Sequence, residues 1–294
     1  MLDYRIDTFL LLCSEMNFRK TADILGITQP AVTQQIHHLE NLYGQKLFLY
    51  ENHRLVKTEA AEILEKYARA AKLQDRDLRE KLEAGPIRNL RVGATKTIGD
   101  YYLRSHIREY LRQPENALSL IVDNTRHLLE LVEENALDFA VVEGFFDKSR
   151  YDNILLRREP FVGICRKDHP FAGREVTIDE LLQETIIHRE DGSGTRAILE
   201  QELSGYNESL QHFSRHICIS SFKLILDLVK NGFGVSFVYN ILADSDPALA
   251  KFTLRGESVV REFNIVYLKY ADLREKIGWF FGETMWQQTP AAEA

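Results

Sequence analysis

The chain has 294 residues, 45% apolar and 28% charged, with 16 glycines and 7 prolines; this supports packed cores and excludes collagen-like, low-complexity and disordered classes, while the length favours two or more domains. A net charge of −7 argues against a surface that binds nucleic acid over its whole extent. Cys13, Cys165 and Cys218 form no C-x-x-C pair, the N-terminus carries no basic leader segment, and charged residues interrupt every apolar run before it could cross a bilayer, so a cytoplasmic protein without a membrane span is expected.

Helical periodicity opens the chain: Ile6, Phe9, Leu10 and Cys13 predict a helix over about 3–16. Asn17 and Phe18 break it, and 19–25 reads as a short second helix closed by Gly26. Thr28 is a good N-cap for a third, Pro30 is tolerated in its first turn, and Ala31, Val32, Ile36 and Leu39 give it an inner stripe ending at Gly44. Two short helices around a glycine-containing turn make the helix-turn-helix pattern, whose second helix enters the DNA major groove. Residues 45–49 and 54–57 then read as the strands of a wing, with Tyr50, Glu51, Asn52 and His53 as its polar tip. From Thr58 a helix runs to about residue 84, with Ala61, Leu64, Ala68, Ala71, Asp75, Leu78 and Leu82 at coiled-coil spacing, a seam for a second copy. Gly85 and Pro86 stop it and mark a domain boundary. Residues 1–86 carry 12 Lys plus Arg against 13 Asp plus Glu, so this third is near neutral.

Beyond 87, short apolar runs alternate with amphipathic helices, the sign of a parallel sheet with crossovers. Strands are predicted at 90–94, 119–122, 139–142, 161–165, 185–188, 216–219, 235–238 and 263–268. Helices are predicted near 99–112, 125–135, 178–182, 194–203, 221–231 and 273–286.

The run Thr28-Gln29-Pro30-Ala31-Val32-Thr33-Gln34-Gln35-Ile36, followed by Leu39-Glu40, Gly44 and Leu47-Phe48, resembles the N-terminal domain of LysR-type transcriptional regulators. The similarity covers nearly the whole chain. It implies a winged helix-turn-helix domain (α+β, residues 1–58), a long linker and dimerisation helix (59–86), and a two-lobed α/β, periplasmic-binding-protein-like effector domain (87–294). Lobe I would span about 88–160 and 266–290, lobe II about 161–265. The resemblance places Thr28, Gln29, Pro30, Thr33 and Gln34 on the recognition helix, Arg19 and Lys20 on phosphates, and His53 with Arg54 on the wing near the minor groove. The chemistry agrees, since glutamine pairs with adenine and threonine meets thymine. Tyr50, Thr21 and Ala61 stand where the family pattern has arginine, alanine and glycine, which thins the phosphate contacts.

Ligands of such sheets sit at the carboxyl ends of strands, between lobes. Thr95, Lys96 and Thr97 follow the first strand; Ser193, Thr195 and Arg196 open a helix after the fifth; Ser221 precedes another. Hydroxyls, backbone N–H groups and cations suit a small anion. No cofactor, catalytic residue or metal ligand is expected: His212, His216 and Cys218 lack a fourth partner, and Ser193 sits in no G-x-S-x-G elbow. The expected partners are double-stranded operator DNA, an anionic effector and further copies of the chain as a dimer within a tetramer, with RNA polymerase as a further candidate. The competing reading is a cytoplasmic anion-binding module or enzyme on the same two-lobed fold, its N-terminal helices used for assembly.

Overall fold

The structure, a computed structural model, describes residues 3–83, 88–143, 146–256 and 259–282. The N-terminal domain comprises α1 (Arg5–Glu15), α2 (Phe18–Leu25), α3 (Gln29–Tyr43), the hairpin strands β1 (Phe48–Glu51) and β2 (Arg54–Lys57), and the start of α4 (Glu59–Glu83). Phe9, Leu12, Val32, Ile36, Leu39 and Leu47 form its core, with the Phe48 ring 5.9 Å from Phe9 and 6.3 Å from Phe18.

Residues 45–47 are not strand. Gln45 N–H donates to the Glu40 carbonyl and Leu47 N–H to its carboxylate at 3.0 Å, so buried Glu40 holds this segment. Burial raises the Glu40 pKa, but hydrogen bonds from Lys46, Leu47 N–H and His37 outweigh it and leave the carboxyl below its ordinary value. The wing tip is also tighter than the four residues expected. Glu51 pairs with Arg54, and Asn52 and His53 both take positive φ, as a two-residue type I′ turn requires.

Helix α4 starts where Thr58 Oγ1 accepts from Ala61 N–H at 3.1 Å. The helix faces three surroundings, and the expected seam meets two of them. Ala61 and Ala68 are buried against the N-terminal domain of their own chain, while Leu78 and Leu82 stand 55% and 77% exposed. Ala70 and Leu73, outside the expected seam, enter the effector-domain core. Gly85 and Pro86 lie outside the described residues.

The effector domain runs β3 (Arg88–Ala94), a π-helical turn (Ile98–Tyr102), α5 (Arg104–Tyr110), β4 (Asn116–Val122), α6 (Thr125–Glu133), β5 (Phe139–Glu143), β6 (Tyr151–Arg166), β7 (Glu175–Val176), α7 (Ile178–Leu182) and β8 (Thr185–His188). It continues with α8 (Gly194–Gly205), β9 (Arg215–Cys218), α9 (Phe222–Lys230), β10 (Ser236–Tyr239), α10 (Asn240–Ala243), β11 (Leu249–Leu254), β12 (Val260–Leu268) and α11 (Arg274–Phe281). In lobe I, β4 and β5 flank β3 in parallel, and β12 joins antiparallel to β5 and to the first part of β6. The second part of β6 carries β10 and β11 of lobe II, and β8 pairs with β9 in parallel.

Strand β6 therefore passes from one lobe to the other near Pro160. The return falls earlier than the expected 265: Val260 already pairs with Pro160, and Phe263 with Glu143 of lobe I. The expected lobe I segment 266–290 is described only as far as Gly282.

The linker helix is anchored to lobe I by a buried carboxylate. Asp138, fully buried, accepts from Arg76, from Lys276 Nζ at 2.8 Å and from Arg91 N–H at 2.7 Å, and Lys276 also reaches Asp77 at 2.6 Å. Farther up, Arg69 donates to the Glu133 carbonyl at 2.6 Å, and Tyr67 stacks on Tyr270 at 4.3 Å.

Candidate functional site

Two polar surfaces gather most of the residues expected to bind. The first lies between α3 and the wing. Val32, Ile36 and Leu39 turn inward, which leaves Thr28, Gln29, Pro30 and Gln34 exposed and Thr33 half-buried. A groove of about 550 Å³ is lined by Arg19, Gln29, Tyr50, His53 and Arg54, with Asn17 and Leu55 beneath. Asn17 fixes the approach of α2, its side chain accepting from Arg19 N–H at 3.0 Å and Lys20 N–H at 3.1 Å. Thr33 Oγ1 donates to the Gln29 carbonyl at 3.1 Å and Gln29 Nε2 to Thr33 Oγ1 at 3.3 Å, so the two side chains form one unit. Thr28 caps α3 by accepting from Ala31 N–H at 3.4 Å. Lys20 lies outside the groove lining and pairs with Glu15 at 2.5 Å. Tyr50 lines this groove, so the departure from the family pattern stands beside the residues that would touch DNA.

The second is the cleft between the lobes, about 790 Å³, lined by Thr95, Lys96, Thr97, Ser193 and Thr195. Chain crossing brings in residues the motif reading passed over: Thr125 and His127 from α6, Glu143 at the end of β5, Arg189 after β8, Tyr239 at the end of β10, and Arg261 on β12. The carboxyl-end rule would have found Glu143, which directly follows the strand predicted at 139–142.

Local packing explains the first loop. Thr95 N–H donates to Val141 O at 3.1 Å, and a Cβ on Gly99 would come within 2.8 Å of Val122, so only glycine lets the π turn lie this close to β4. The turn offers fewer free donors than expected, because Gly99 N–H is spent on Thr95 O at 2.8 Å. Thr95 Oγ1 donates to the Glu143 carboxylate, while the buried Thr97 hydroxyl has no partner among the described residues. Burial drives the Glu143 carboxyl up to about 7, against the downward pull of Thr95, its own backbone and Arg189.

Across the cleft, Arg189 lies 4.2 Å over the Phe222 ring and is held at 2.7 and 2.8 Å by Glu190. Glu190 also comes within 3.8 Å of Lys96, so one carboxylate bridges the two lobes at the mouth. Beside it α8 begins at Ser193, whose hydroxyl makes no capping bond. Arg261 donates to Gln201 at 3.1 Å.

Two expected effector contacts turn away. Arg196 pairs with Asp191 at 2.7 Å and with Glu200 one turn along its own helix at 2.8 Å, and lies outside the cleft lining. Ser221 caps α9 and lines an adjoining crevice with Lys96 and Arg104. His212 pairs with Glu208 and His216 stacks on His188; among the described residues no group of three or more His, Cys, Asp or Glu is arranged to hold a metal.

Comparison with known proteins covers both surfaces. Residues 4–62 match the bacterial regulatory helix-turn-helix protein, lysR family, and residues 83–284 the LysR substrate binding domain. The HTH-type transcriptional regulator CysL of Bacillus subtilis is 28% identical over 95% of this chain and 91% of its own. The HTH-type transcriptional regulator CbbR of Rhodospirillum rubrum is 31% identical over 80% and 78%. A point variant of full-length OxyR from Pseudomonas aeruginosa, at 20% identity, shares the fold with a TM-score of 0.61 over 100% of this chain and 99% of that one. CysL and CbbR are named as regulators and not as enzymes. The chain belongs to the LysR family of DNA-binding transcriptional regulators, with a helix-turn-helix domain followed by a two-lobed effector-binding domain.

Proposed function

We propose that this regulator binds operator DNA as a homo-oligomer in the cytoplasm and answers to a small anionic effector held between its lobes. The observation that carries the effector reading is the Glu190 bridge, a carboxylate already placed between Lys96 of lobe I and Arg189 of lobe II. An incoming anion that takes over these cations, with the N-terminus of α8 at Ser193 and Thr195 and the hydroxyls of Thr95 and Thr97 nearby, touches both lobes at once. Only its difference in affinity between the open and closed arrangements can shift their populations, and α4, pinned to lobe I through Asp138, is the element through which that shift reaches the DNA-binding domain.

A calorimetric screen of metabolite anions tests the cleft. Binding to the native protein should weaken in Thr95→Val/Thr97→Val protein, because valine keeps the volume and removes the donors. Equal binding by both proteins sends the site elsewhere.

On the DNA side, Gln29, Pro30, Thr33 and Gln34 would read base edges, Thr28 would position the helix, and Arg19, Lys20, His53 and Arg54 would meet the backbone and the minor groove. The oligomer reading rests on the apolar stripe of α4 that the chain leaves uncovered, Ile63, Leu78 and Leu82. Leu78→Asp should lower the sedimentation coefficient of the full chain; an unchanged value removes this helix from the interface.

A further inference from the structure

We propose that the effector carries a hydroxyl in addition to its anionic group, and that Glu143, Thr97 and Tyr239 at the floor of the cleft select for that hydroxyl. The inference rests on the anion reading of the same cleft and adds the chemistry of the ligand's other end.

The floor holds two buried hydroxyls with no partner among the described residues, Thr97 at 1% exposure and Tyr239 at 0%, and both line the cleft. Polar atoms so deeply buried without partners are rare, and here the missing partner has a cavity to come from. The third group is the Glu143 carboxyl, close enough to Tyr239 to hold that phenol's pKa up, though burial contributes more. Phe263 pairs with Glu143 in register and lies 5.3 Å from the Tyr239 ring, and all three polar groups line the one cleft, so a polar end of a ligand in this part of it meets their mixed demands. A carboxylate oxygen would accept from Thr97 and Tyr239, but from Glu143 only while that carboxyl is protonated, so it fits one of the acid's two states. An ammonium would suit Glu143 but use the two hydroxyls only as acceptors. A hydroxyl donates to Glu143 and accepts from Thr97 or Tyr239. It also fits both protonation states of Glu143, whose pKa near neutrality makes each of them available, because a protonated carboxyl donates to the hydroxyl oxygen that an ionised one would have drawn a proton from.

The cleft dimensions agree with a ligand of two ends. At about 790 Å³ the space far exceeds a bare inorganic oxyanion. Lys96 is exposed beside Glu190, whereas Arg189 is buried and close enough to pull on Glu143, so the cationic part of the cleft adjoins the part that holds the orphaned hydroxyls. Glu143 and Thr97 belong to lobe I and Tyr239 to lobe II, so a hydroxyl seated among them adds a second link between the lobes.

The experiment is calorimetry on the full chain with matched pairs of equal charge: glycerate against propionate, malate against succinate, and glycerol 3-phosphate against propyl phosphate. The hydroxylated member of at least one pair should bind about tenfold tighter or better, as a hydrogen bond to a charged group allows. Glu143→Leu should remove most of that preference, and Glu143→Gln, which keeps an acceptor oxygen, should retain part of it. Thermal melts check that both variants fold, and the Gln variant decides if the Leu variant does not. Equal binding within every pair that binds overturns the proposal, as does a preference that survives both substitutions. If no member of any pair binds, the anion reading falls and this inference with it.

Discussion

At the helix-turn-helix face, Arg19, His53 and Arg54 stand exposed around one groove and make no ion pair among the described residues. In the effector cleft, Lys96 and Arg189 share Glu190 and Arg261 is held by Gln201, while among the described residues only the exposed Arg126 of its lining cations makes no ion pair or side-chain hydrogen bond. The partners explain the contrast. DNA presents a dense line of phosphates and gives up counterions to any free cation, so exposed charge is enough there. A small anion has one or two charges to offer, and cations already paired with a carboxylate yield only to a ligand that replaces that carboxylate well. Prepared pairs therefore favour selectivity, and free cations favour general attraction.

A third use of charge gives the largest expected effect. Asp138 serves neither partner; its carboxylate is spent entirely on Arg76, Lys276 and Arg91 N–H, which join α4 to lobe I. Asp138→Ala takes the fully buried carboxylate from Arg76 and Lys276 and leaves them Asp77 alone as a common partner, so it should destabilise the protein by about 3 kcal/mol. Chemical denaturation measures this directly. A loss below about 1 kcal/mol, the range of surface pairs, would mean that the buried network is no different in kind from the exposed ones.

The next effect tests the free-charge side. Gln29→Ala and Thr33→Ala should each cost about 1 to 3 kcal/mol of discrimination between operator and altered sequence. Because the two side chains bond each other, the double variant should lose less than the sum. Arg54→Ala should weaken binding to all sequences alike and flatten the salt dependence. Quantitative gel shifts over a range of salt separate these outcomes. If Arg54→Ala changed sequence preference while Gln29→Ala did not, the roles assigned to helix and wing would be reversed.

The helix-turn-helix was legible because its determinants are local. Asn17 and Thr28 cap the helices they precede, Gly26 and Gly44 close them with positive φ, and the apolar stripe of α3 lies within a single helix. The long strands were not. Arg157, Arg158, Glu159 and Glu262 break the apolar pattern of β6 and β12, and only the folded sheet shows that Arg158 meets Glu262 at 3.3 Å and that buried Glu159 accepts Ile241 N–H at 2.7 Å. The linker seam misled for a related reason. Small residues at coiled-coil spacing serve a close contact with any neighbour, and for Ala61 and Ala68 that neighbour is the chain's own N-terminal domain. The cleft was half legible: Thr95, Thr97 and Thr195 follow from the strand-end rule, which also reaches Glu143, Arg189 and Tyr239 directly after predicted strands, whereas Arg261 joins them only after the sheet crosses between lobes.

The smallest expected effect concerns Glu143, a cleft acid whose charge the protein resists. Burial raises the Glu143 pKa from the ordinary 4.5 to about 7, so between these values the folded chain binds more protons than the unfolded one. The sign follows: the contribution of this group to stability is fully present below about pH 4.5 and is lost as the pH rises through about 7. Glu143 is half-buried and faces a water-accessible cleft, so the change should be about 1 kcal/mol, less than the full shift would give. The measurement is the stability of the native protein minus that of Glu143→Gln across this range, which cancels every other titrating group. The difference should decline with rising pH. In Thr95→Val protein, where the hydrogen bond that pulls the pKa down is gone, the decline should extend to higher pH. A flat difference curve would mean that Glu143 titrates in the folded chain as it does in the unfolded one, as solvated as the acids of the surface, and the contrast between prepared and free charge would then stop at the mouth of the cleft.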